Sequence, residues 1–488
     1  MSHPQSPPDP KRWIALVLLC AAQFMVVLDA SIVNVAMPSI QTDLNFSQEN
    51  LQWVVNAYTL VFGGFLLLGG RMADLLGRRR VFIIGLGLFS LASLLGGFAT
   101  TDDQLVAARA IQGLGAAIIS PAALSIVTTT FAEGSERNKA LGIWGAIAGL
   151  GGAAGVLLGG MLTEWAGWEW VLFVNVPIGL AAAVLTPRFV QESRMDRRGQ
   201  NFDVLGALTI TAGLVLLVYT LVKAEEFGWG SGRTIGGLAG AAALIGVFLL
   251  IESRSRSPLV PLGFFRQRTP ASANVLSVLI AASLFSMFFF VSLYLQRVLE
   301  FSALEAGLAY LPLAGTIVVS AGIASQVVEK VGVKPALVFG LSAIAVGLFW
   351  FSRVDADGSY AADVLGPSIV AAIGLGFSFV PVTIAAVAGV SDDEAGLASG
   401  LVNTSQQVGG ALGLAVLATI ANSTTNGLAN GPASPVALTE GFQDAFLVGS
   451  GFALVGVVLA LVLLRHRELR EAQRQLAARE GGAVPVQA

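Results

Sequence analysis

The sequence predicts an all-α integral membrane protein with fourteen transmembrane spans. Composition is the first reason: 55% of the 488 residues are hydrophobic and only 12% are charged, which is about half the charged fraction of an average soluble protein. Length is the second reason, because a helix that crosses the bilayer core needs about 20 mostly apolar residues. Fourteen such helices take up roughly 280 residues, so the chain has no need of a large soluble domain.

The predicted spans are stretches with few or no charged residues. In chain order they cover residues 13–36, 51–70, 81–101, 104–130, 140–163, 170–187, 204–222, 234–251, 270–296, 306–328, 335–352, 364–390, 395–420 and 445–464. The neutral segment that begins at Ala395 also contains residues that favour turns, namely Asn422, Thr424, Asn426, Asn430, Gly431 and Pro432. We therefore expect one span there, followed by an exposed loop.

The distribution of basic residues predicts the orientation of the spans. With the N-terminus inside, 23 of the 28 Lys and Arg residues lie on the cytoplasmic side. The other side has only Lys223, Arg233, Arg297 and Arg353, and Arg109 lies within a span. Because cytoplasmic loops carry an excess of Lys and Arg, we expect a multi-pass protein of the cell membrane with both termini in the cytoplasm.

The sequence also carries signs of an internal repeat. An offset of 255 residues aligns Asp74 with Glu329, Gly77 with Gly332, Gly145 with Gly400 and Gly155 with Gly410. A slightly larger offset aligns Gly113 and Gly115 with Gly374 and Gly376. Such repeats are common in transporters. This one predicts an N-terminal six-helix bundle at residues 1–200, two inserted spans at 201–255, and a C-terminal six-helix bundle with a short cytoplasmic tail at 256–488.

The chain offers few groups for catalysis or metal binding. It contains one cysteine, Cys20, and two histidines, His3 and His466, which are too few for a metal cage or a His-based catalytic triad. The formal net charge is only −3, and the basic residues form no patch with interleaved aromatic residues that would suit a nucleic acid. These features argue against an enzyme, a metal site and a nucleic-acid partner.

Two ionisable residues are expected inside the membrane. Asp29 lies in span 1, about 24 Å along its helix from the inner end, and Arg109 lies in span 4, about 9 Å below the outer end. Both fall in the outer half of the bilayer, where an Asp29–Arg109 pair is geometrically allowed. An acid at this depth costs at least a few kcal/mol unless it is paired, protonated or facing water, and it marks a functional site. The alternative is an ion pair with a purely structural role.

The loop between spans 2 and 3 reads GRMADLLGRRR at residues 70–80. Gly77 permits a tight turn, and the arginines can face anionic lipid or neighbouring carboxylates. Positive-inside topology explains the arginines but not the Gly-Asp-Gly spacing. The run resembles the cytoplasmic loop signature of the major facilitator superfamily. The resemblance implies that Asp74, Gly77 and Arg78 form a cytoplasmic gate, which holds one conformation closed on the inside.

Span 5 carries five glycines, Gly145, Gly149, Gly152, Gly155 and Gly159. Their spacing predicts a helix face on which a second helix can approach closely, as small residues allow in lipid. The segment GVLLGG at residues 155–160 also resembles the antiporter signature of exporters in this superfamily. That signature has a proline after its first glycine, where this chain has a valine.

Three further segments are similar to the fourteen-span drug:proton antiporters of the multidrug efflux type. They read QWVVNAY at 52–58, WEWVLFVNVPIG at 168–179 and GLASGLVNTSQQVGG at 396–410. The resemblance covers nearly the whole chain, although Glu169 stands where that family commonly has arginine. It implies the major facilitator fold, with two six-helix bundles and two inserted helices. It also implies that a proton gradient supplies the energy and that no cofactor is needed.

Several side chains are candidates to line a cavity for a bulky apolar or cationic substrate. They are Asn34, Tyr58, Gln112, Trp144, Phe377, Asn403 and Gln407. Asn403 and Gln407 are four residues apart and therefore share a helix face. For most of the aromatic residues the alternative is packing against lipid or between helices.

Together these features predict a secondary active transporter that works by alternating access. It would export lipophilic, cationic drugs or metabolites in exchange for protons, with Asp29 and Arg109 as the proton-coupling residues. Its partners would be the small-molecule substrate, protons and the lipid bilayer, and we expect a functional monomer. A proton-coupled importer and a narrow-specificity metabolite exporter are alternatives, because a fold does not set function. A membrane sensor would call for a sizeable soluble domain, which the short loops do not provide.

Overall fold

The computed structural model is all-helical over the residues it describes, which are 11–131, 135–194, 203–255, 258–388, 390, 395–428 and 434–464. The helices are α1 (Arg12–Asp43), α2 (Gln48–Leu51), α3 (Trp53–Leu76), α4 (Arg78–Gly97), α5 (Asp102–Thr130), α6 (Ser135–Ala166), α7 (Trp170–Phe173), α8 (Asn175–Phe189), α9 (Val204–Phe227), α10 (Gly232–Arg254), α11 (Arg268–Arg297), α12 (Ala303–Ala309), α13 (Leu311–Val331), α14 (Val333–Phe351), α15 (Gly366–Ala386), α16 (Ala395–Leu428) and α17 (Pro435–Leu463). A short 3-10 helix at Leu262–Arg266 precedes α11, and a π-helical turn at Tyr360–Leu365 precedes α15.

The helices account for all fourteen predicted spans. Within the described part of the chain, thirteen helical segments are long and apolar enough to cross a membrane, and α6 supplies the helix for span 5. Some spans consist of two elements: α7 and α8 form span 6, α12 and α13 form span 10, and the π-helical turn and α15 form span 12. The all-α membrane fold class is therefore confirmed.

Helix α16 is longer than predicted and continues to Leu428. Its polar residues bond to α17 instead of forming a loop: Thr425 Oγ1 donates to the carbonyl of Ala437 at 3.1 Å, and Thr424 Oγ1 donates to Asp444 at 2.7 Å. The loop expected at residues 422–426 is wrong, because tertiary hydrogen bonds satisfy side chains that would otherwise favour a turn. Residues 430–432 and the tail at 465–488 lie outside the described residues.

The N-terminal helices α1–α8 and the C-terminal helices α11–α17 repeat the same packing. Helix α1 contacts α5, α6 and α8, just as α11 contacts α15, α16 and α17. Helix α4 contacts α5 and α8, just as α14 contacts α15 and α17. Gly77 and Gly332 also match, since both take a positive φ, of 112° and 94°, which residues with a side chain rarely adopt. The internal repeat is thus present in the structure.

One predicted match within the repeat has the wrong register. Gly113 lies against α3 and Gly115 lies against α4, whereas Gly374 lies against α14. Because α14 is the counterpart of α4, Gly374 corresponds to Gly115 and not to Gly113. Glycines two positions apart face different neighbours on a helix, and the sequence gives no information on which neighbour each one meets.

The inserted helices α9 and α10 pack against each other, and α9 also contacts α3 and α16. It therefore touches one helix from each half of the repeat. Helix α10 exposes apolar side chains, among them Ile235, Val247, Leu249 and Leu250, as expected for a helix that faces lipid. The predicted domain boundaries at residues 200 and 255 stay predictions.

Helices α1 and α6 approach closely because of glycine. A Cβ atom at Gly155 would collide with Ser31 Oγ, and one at Gly159 would lie 2.7 Å from the carbonyl of Ile32. Ser31 Oγ also donates to the carbonyl of Gly151 at 3.3 Å across the two helices. The backbones can approach this closely only because these positions of α6 carry no side chain.

The glycine face of α6 differs from the predicted one. A Cβ atom at Gly151 would lie 3.1 Å from Val27 of α1, whereas Gly152 has no atom within 4 Å of its Cβ position. The prediction that Gly152 belongs to the packing face is therefore wrong, because residues 151, 155 and 159 form the row that faces α1. Gly145 and Gly149 lie on α6, but their surroundings are outside the described part of the structure.

We expect Gly155→Ala to destabilise the protein by about 1–3 kcal/mol, the usual cost of overpacking a tight contact. The matched control is Gly152→Ala, which makes the same change in helix propensity but adds its methyl group to open space. Thermal unfolding of the two purified variants would measure the difference. Equal midpoints for both variants would contradict the close approach of α1 and α6.

Candidate functional site

Asp29 is buried in α1, and three side chains donate hydrogen bonds to its carboxylate. Arg109 Nη1 lies 2.5 Å from Asp29 Oδ2. Gln112 Nε2 and Asn175 Nδ2 lie 3.0 Å and 2.7 Å from Oδ1. The exposed fraction is 0% for the Asp29 side chain and 1% for that of Arg109. A buried ion pair offsets the desolvation of its charges only when further hydrogen bonds surround it, and Asp29 has them.

The Arg109 guanidinium is held by neutral groups as well. Its Nε donates to the carbonyl of Val54 at 3.0 Å, and Nη1 also donates to Gln112 Oε1 at 2.9 Å. The guanidinium carbon lies 4.4 Å from the centre of the Tyr58 ring, which is a cation–π contact. Tyr58 in turn donates to the carbonyl of Val26 at 3.3 Å. One anion and several dipoles therefore balance this buried positive charge.

We refer to this cluster as the Asp29 network, and it joins five helices. Its members are Asp29 on α1, Val54 and Tyr58 on α3, Ser93 on α4, Arg109 and Gln112 on α5, and Asn175 on α8. Ser93 is included because its Oγ lies 2.5 Å from Gln112 Nε2. A change of charge at Asp29 would therefore act on the packing of most N-terminal helices.

The sequence identified four members of the network, Asp29, Arg109, Gln112 and Tyr58, but it missed Asn175 and Ser93. Asn175 belongs to the segment at 168–179 that carries part of the family resemblance, and an amide within an apolar span was a usable signal. Ser93 offered no signal, because a helical serine can bond to its own backbone.

The loop between α3 and α4 turns at Gly77. Arg78 donates to Asp74 Oδ1 through Nη2 at 2.9 Å and through Nε at 3.1 Å. Ser125 of α5 donates to the same oxygen at 3.3 Å, and the Arg78 amide donates to the carbonyl of Ser193 at 2.9 Å. These contacts of Asp74 and Arg78 all lie within residues 74–193. The role of Asp74, Gly77 and Arg78 as a cytoplasmic gate stays a prediction.

Glu192, which follows α8, is a residue of this loop region that sequence reasoning missed. Its carboxylate accepts hydrogen bonds from the amides of Arg79 at 3.1 Å and Arg80 at 3.2 Å. It thereby occupies the N-terminus of α4, where the helix dipole favours a negative charge. A Cβ atom at Gly77 would lie 2.8 Å from this carboxylate, so the turn needs glycine for space as well as for its φ.

A row of hydrogen bonds joins α1 to α11 at the end of the molecule that the charge pattern places outside. Pro38 has no N–H, so the carbonyl of Asn34 lacks its usual donor within α1. Ser292 Oγ of α11 donates to that carbonyl at 2.7 Å. Gln296 and Arg297 donate to two further carbonyls of α1, at 3.0 Å and 3.2 Å. We call this row the α1–α11 seam.

The predicted substrate-binding residues do not form one site. Tyr58 and Gln112 belong to the Asp29 network. The Asn34 amide donates to a carbonyl of its own helix at 3.2 Å, and Trp144 packs against an apolar cluster of the N-terminal helices. Phe377 packs edge-on against Phe339 of α14, with 5.0 Å between the ring centres.

Asn403 lines a small polar cavity of about 210 Å³ between α15 and α16. Gln406 and Thr383, which sequence reasoning missed, line the same cavity. Gln407 is not among the residues that line this cavity. It packs against α3, where a Cβ atom added at Gly63 would lie 2.8 Å from the Gln407 Cβ. The prediction that Asn403 and Gln407 both line a substrate cavity stays a prediction.

A larger cavity of about 380 Å³ lies between α1 and α6. Its lining is apolar and includes Trp13, Val17, Phe24 and Ile147. None of the described residues that line these two cavities is charged. Among the residues that the structure describes, no group of three or more His, Cys, Asp or Glu side chains is placed to hold a metal ion.

Comparison with known proteins assigns the chain to a family. The family model described as Major Facilitator Superfamily matches residues 19–414. The chain belongs to the Major Facilitator Superfamily. It is thus a multi-pass membrane transporter of small molecules and not an enzyme. The fold is that of a known transporter structure: an inward-facing bacterial homologue of the human lysosomal transporter Spinster has a TM-score of 0.65 and 19% identity, over 96% of this chain and 99% of that one.

Several relatives in this superfamily are named for drug resistance or export. Puromycin resistance protein pur8 of Streptomyces alboniger is 41% identical, over 94% of this chain and 93% of the relative. Cephamycin export protein CmcT of Amycolatopsis lactamdurans is 42% identical, over 92% of both chains. Multidrug resistance protein Stp of Mycobacterium tuberculosis is 33% identical, over 83% of this chain and 75% of the relative.

We expect Asp29→Asn to cost about 3–5 kcal/mol of stability, because it leaves the Arg109 charge buried without its counterion. The double variant Asp29→Asn/Arg109→Gln removes both charges and should be more stable than Asp29→Asn alone. Unfolding measurements on the wild type, Asp29→Asn, Arg109→Gln and the double variant form a double-mutant cycle, which gives the interaction energy of the pair. Additive losses would show that the two side chains do not interact.

Proposed function

We propose that the protein is a secondary active exporter that exchanges lipophilic, cationic drugs or metabolites for protons by alternating access. Asp29 and Arg109 are the coupling residues of this proposal. The observation that carries it is the complete burial of Asp29 within a network that joins five helices. An acid in such a place can convert the gain or loss of one proton into a change of helix packing.

The charge balance of the Asp29 network supports proton coupling. Protonation of Asp29 removes the counterion of Arg109 and leaves a buried guanidinium, which is strongly unfavourable. The protonated state therefore favours a rearrangement that gives Arg109 new partners. Amides suit this change because they hold both donors and an acceptor, and Asn175 Oδ1 is a buried oxygen without a hydrogen-bond partner among the described residues. By rotating, this amide could accept a hydrogen bond from protonated Asp29.

The names of the relatives and the cavities support the substrate class. Resistance and export proteins for puromycin, cephamycin and tetracenomycin C align with most of this chain. The apolar cavity between α1 and α6 suits a lipophilic molecule, and Asn403, Gln406 and Thr383 supply hydrogen-bonding groups between α15 and α16. The preference for cations depends on Asp29, since the described residues that line the two cavities include no acidic group.

The α1–α11 seam supports alternating access. It closes the two halves of the repeat against each other at one end, as a rocking mechanism requires in one of its states. We assign that end to the outside because of the distribution of Lys and Arg, with both termini in the cytoplasm. The proposed protein works as a monomer in the cell membrane and takes its energy from the proton gradient.

Efflux of ethidium from energised cells tests the proposed function. We expect the wild type to extrude ethidium and a protonophore to abolish the extrusion. Asp29→Asn should reduce efflux to the level of cells without the protein, because it removes the exchangeable proton. Asp357→Asn is the matched control, since it makes the same change at an exposed position and should leave efflux unchanged.

The outcomes separate the alternatives once immunoblots show equal amounts of each variant. Wild-type efflux by Asp29→Asn would exclude Asp29 as the coupling residue. Efflux that persists in the protonophore would exclude proton exchange, and ethidium accumulation driven by an inward proton gradient would indicate an importer. If ethidium is not transported but an uncharged metabolite is exported in exchange for protons, the cationic substrate class is contradicted and proton exchange is not.

Ser292→Ala tests the role of the α1–α11 seam. The substitution removes the donor to the Asn34 carbonyl. The state in which α1 and α11 are apart at this end should therefore gain population by about fivefold, as expected for the loss of one hydrogen bond of about 1 kcal/mol. Spin labels at Asn45 and Glu300, which are exposed near the ends of α1 and α11, would report a longer distance. The control Ser325→Ala removes a hydroxyl that bonds within its own helix. An identical distance distribution for both variants would contradict this role.

A further inference from the structure

The apolar cavity between α1 and α6 has the depth of one leaflet of a membrane. Along α1 its lining extends from Trp13, in the first turn of the helix, to Phe24. At ~1.5 Å per residue this stretch is about 16 Å long, and one leaflet contributes half of a hydrocarbon core about 30 Å thick. With the orientation that the distribution of Lys and Arg predicts, the cavity lies at the level of the inner leaflet.

The cavity is closed toward the outside and open along its inner part. Gly151 of α6 lies so close to α1 that a Cβ atom there would be 3.1 Å from Val27 and 3.3 Å from the carbonyl of Phe24. Nearer the inner ends of the helices, the lining side chains of Val17 and Ile143 are 66% and 38% exposed. A flexible apolar chain can therefore enter from the inner leaflet and ends at the glycine contact.

The lining offers almost nothing for water to bond. Apart from the Trp13 ring and the Cys20 thiol, the described residues that line the cavity carry aliphatic or phenyl side chains: Leu16, Val17, Ala21, Phe24, Ile143 and Ile147. A water molecule is stable in a cavity only where it has two or more polar partners. At the depth of the acyl chains, an open cavity with this lining favours an acyl chain over water.

A positive charge stands at the cytoplasmic rim of the cavity. Lys139 Nζ lies 5.2 Å from the centre of the Trp13 ring, and the side chain is exposed. On the same ends of α1 and α6, Arg12 is paired with Glu136 at 2.7 Å. Among the described residues, no carboxylate lies within ion-pair distance of Lys139. Tryptophan is typical of the membrane–water interface, so Lys139 lies at the level of the lipid headgroups.

We propose that this cavity binds one acyl chain of an anionic phospholipid from the inner leaflet, with Lys139 against the headgroup. Charge complementarity selects this occupant, because a lysine at the cytoplasmic surface attracts anionic lipid and repels the charged end of a cationic substrate. The lipophilic part of such a substrate enters the cavity only by displacing the chain. The inference goes beyond the proposed exchange, since no lining residue belongs to the Asp29 network.

Photo-cross-linking of the full-length protein in phosphatidylcholine nanodiscs tests the site. The probe is phosphatidylglycerol with a diazirine on one acyl chain. We expect mass spectrometry to find cross-links at residues 16–24 of α1 and 143–147 of α6. Unlabelled phosphatidylglycerol should compete about fivefold better than phosphatidylcholine with the same chains, the preference expected from one lysine near the membrane surface.

Two substitutions separate the headgroup contact from the chain contact. Lys139→Gln should make the two unlabelled lipids compete equally, whereas Lys330→Gln, the same change at an exposed lysine in the last turn of α13, should keep the fivefold preference. Ala21→Leu fills part of the cavity and should remove the cross-links at these positions for both headgroups. Its matched control is Ala242→Leu, at an exposed position of α10, which should leave them unchanged.

Cys20 provides a second readout that needs no modified lipid. It is the only cysteine in the sequence, it lines the cavity and it is 5% exposed. A bound chain should shield the thiol, so N-phenylmaleimide should label it more slowly in phosphatidylglycerol than in phosphatidylcholine nanodiscs, by up to about fivefold. The two rates should be equal in Lys139→Gln and should differ in Lys330→Gln as in the wild type.

Three results would overturn the lipid site in variants that elute and unfold like the wild type. The first is cross-linking spread evenly over exposed apolar surfaces such as that of α10. The second is equal competition by the two phospholipids in the wild type. The third is labelling of the cavity by a photoreactive fatty acid or a photoreactive lipophilic cation when the photoreactive phospholipid gives none, which would assign the cavity to another occupant.

Discussion

The burial of the Asp29–Arg109 charge pair is the constraint on which the N-terminal half of the structure depends. Neither charge is tolerated alone in an apolar interior, so each side chain must find its partner when the helices pack. The amides of Gln112 and Asn175 supply the further hydrogen bonds that the Asp29 carboxylate requires. Because these residues come from different helices, the chemistry of one acid fixes how α1, α5 and α8 are rotated against each other.

Two close contacts of α1 depend on atoms that glycine and proline lack. Gly155 and Gly159 let α6 approach the backbone of α1, and Pro38 leaves the Asn34 carbonyl free for Ser292 of α11. Helix α1 therefore contacts the glycine face of α6. It contacts α11 through the Asn34 carbonyl, which has no backbone donor within α1. The first contact lies within the N-terminal half of the repeat, and the second joins that half to the C-terminal one.

The inserted helices bear on the junction between the two halves. Helix α9 touches α3 and α16, and the end of α10 holds the connector at residues 258–260, which leads toward α11. A pair of helices inserted between two bundles could have been a peripheral addition that only faces lipid. The contacts of Arg71 and Glu252 with the connector instead tie the inserted pair to the place where the bundles meet.

The sequence by itself determined the all-α membrane fold, the fourteen spans and the placement of Asp29 and Arg109 within spans, because hydropathy and helix length are properties of one helix at a time. Tertiary structure decided everything that depends on the rotation and contacts of helices. In the structure Gly151, and not Gly152, lies in the face of α6 toward α1, and Gly374 corresponds to Gly115. It also brought Asn175 and Ser93 into the Asp29 network, because which side chains meet across helices is fixed only when all the helices pack together.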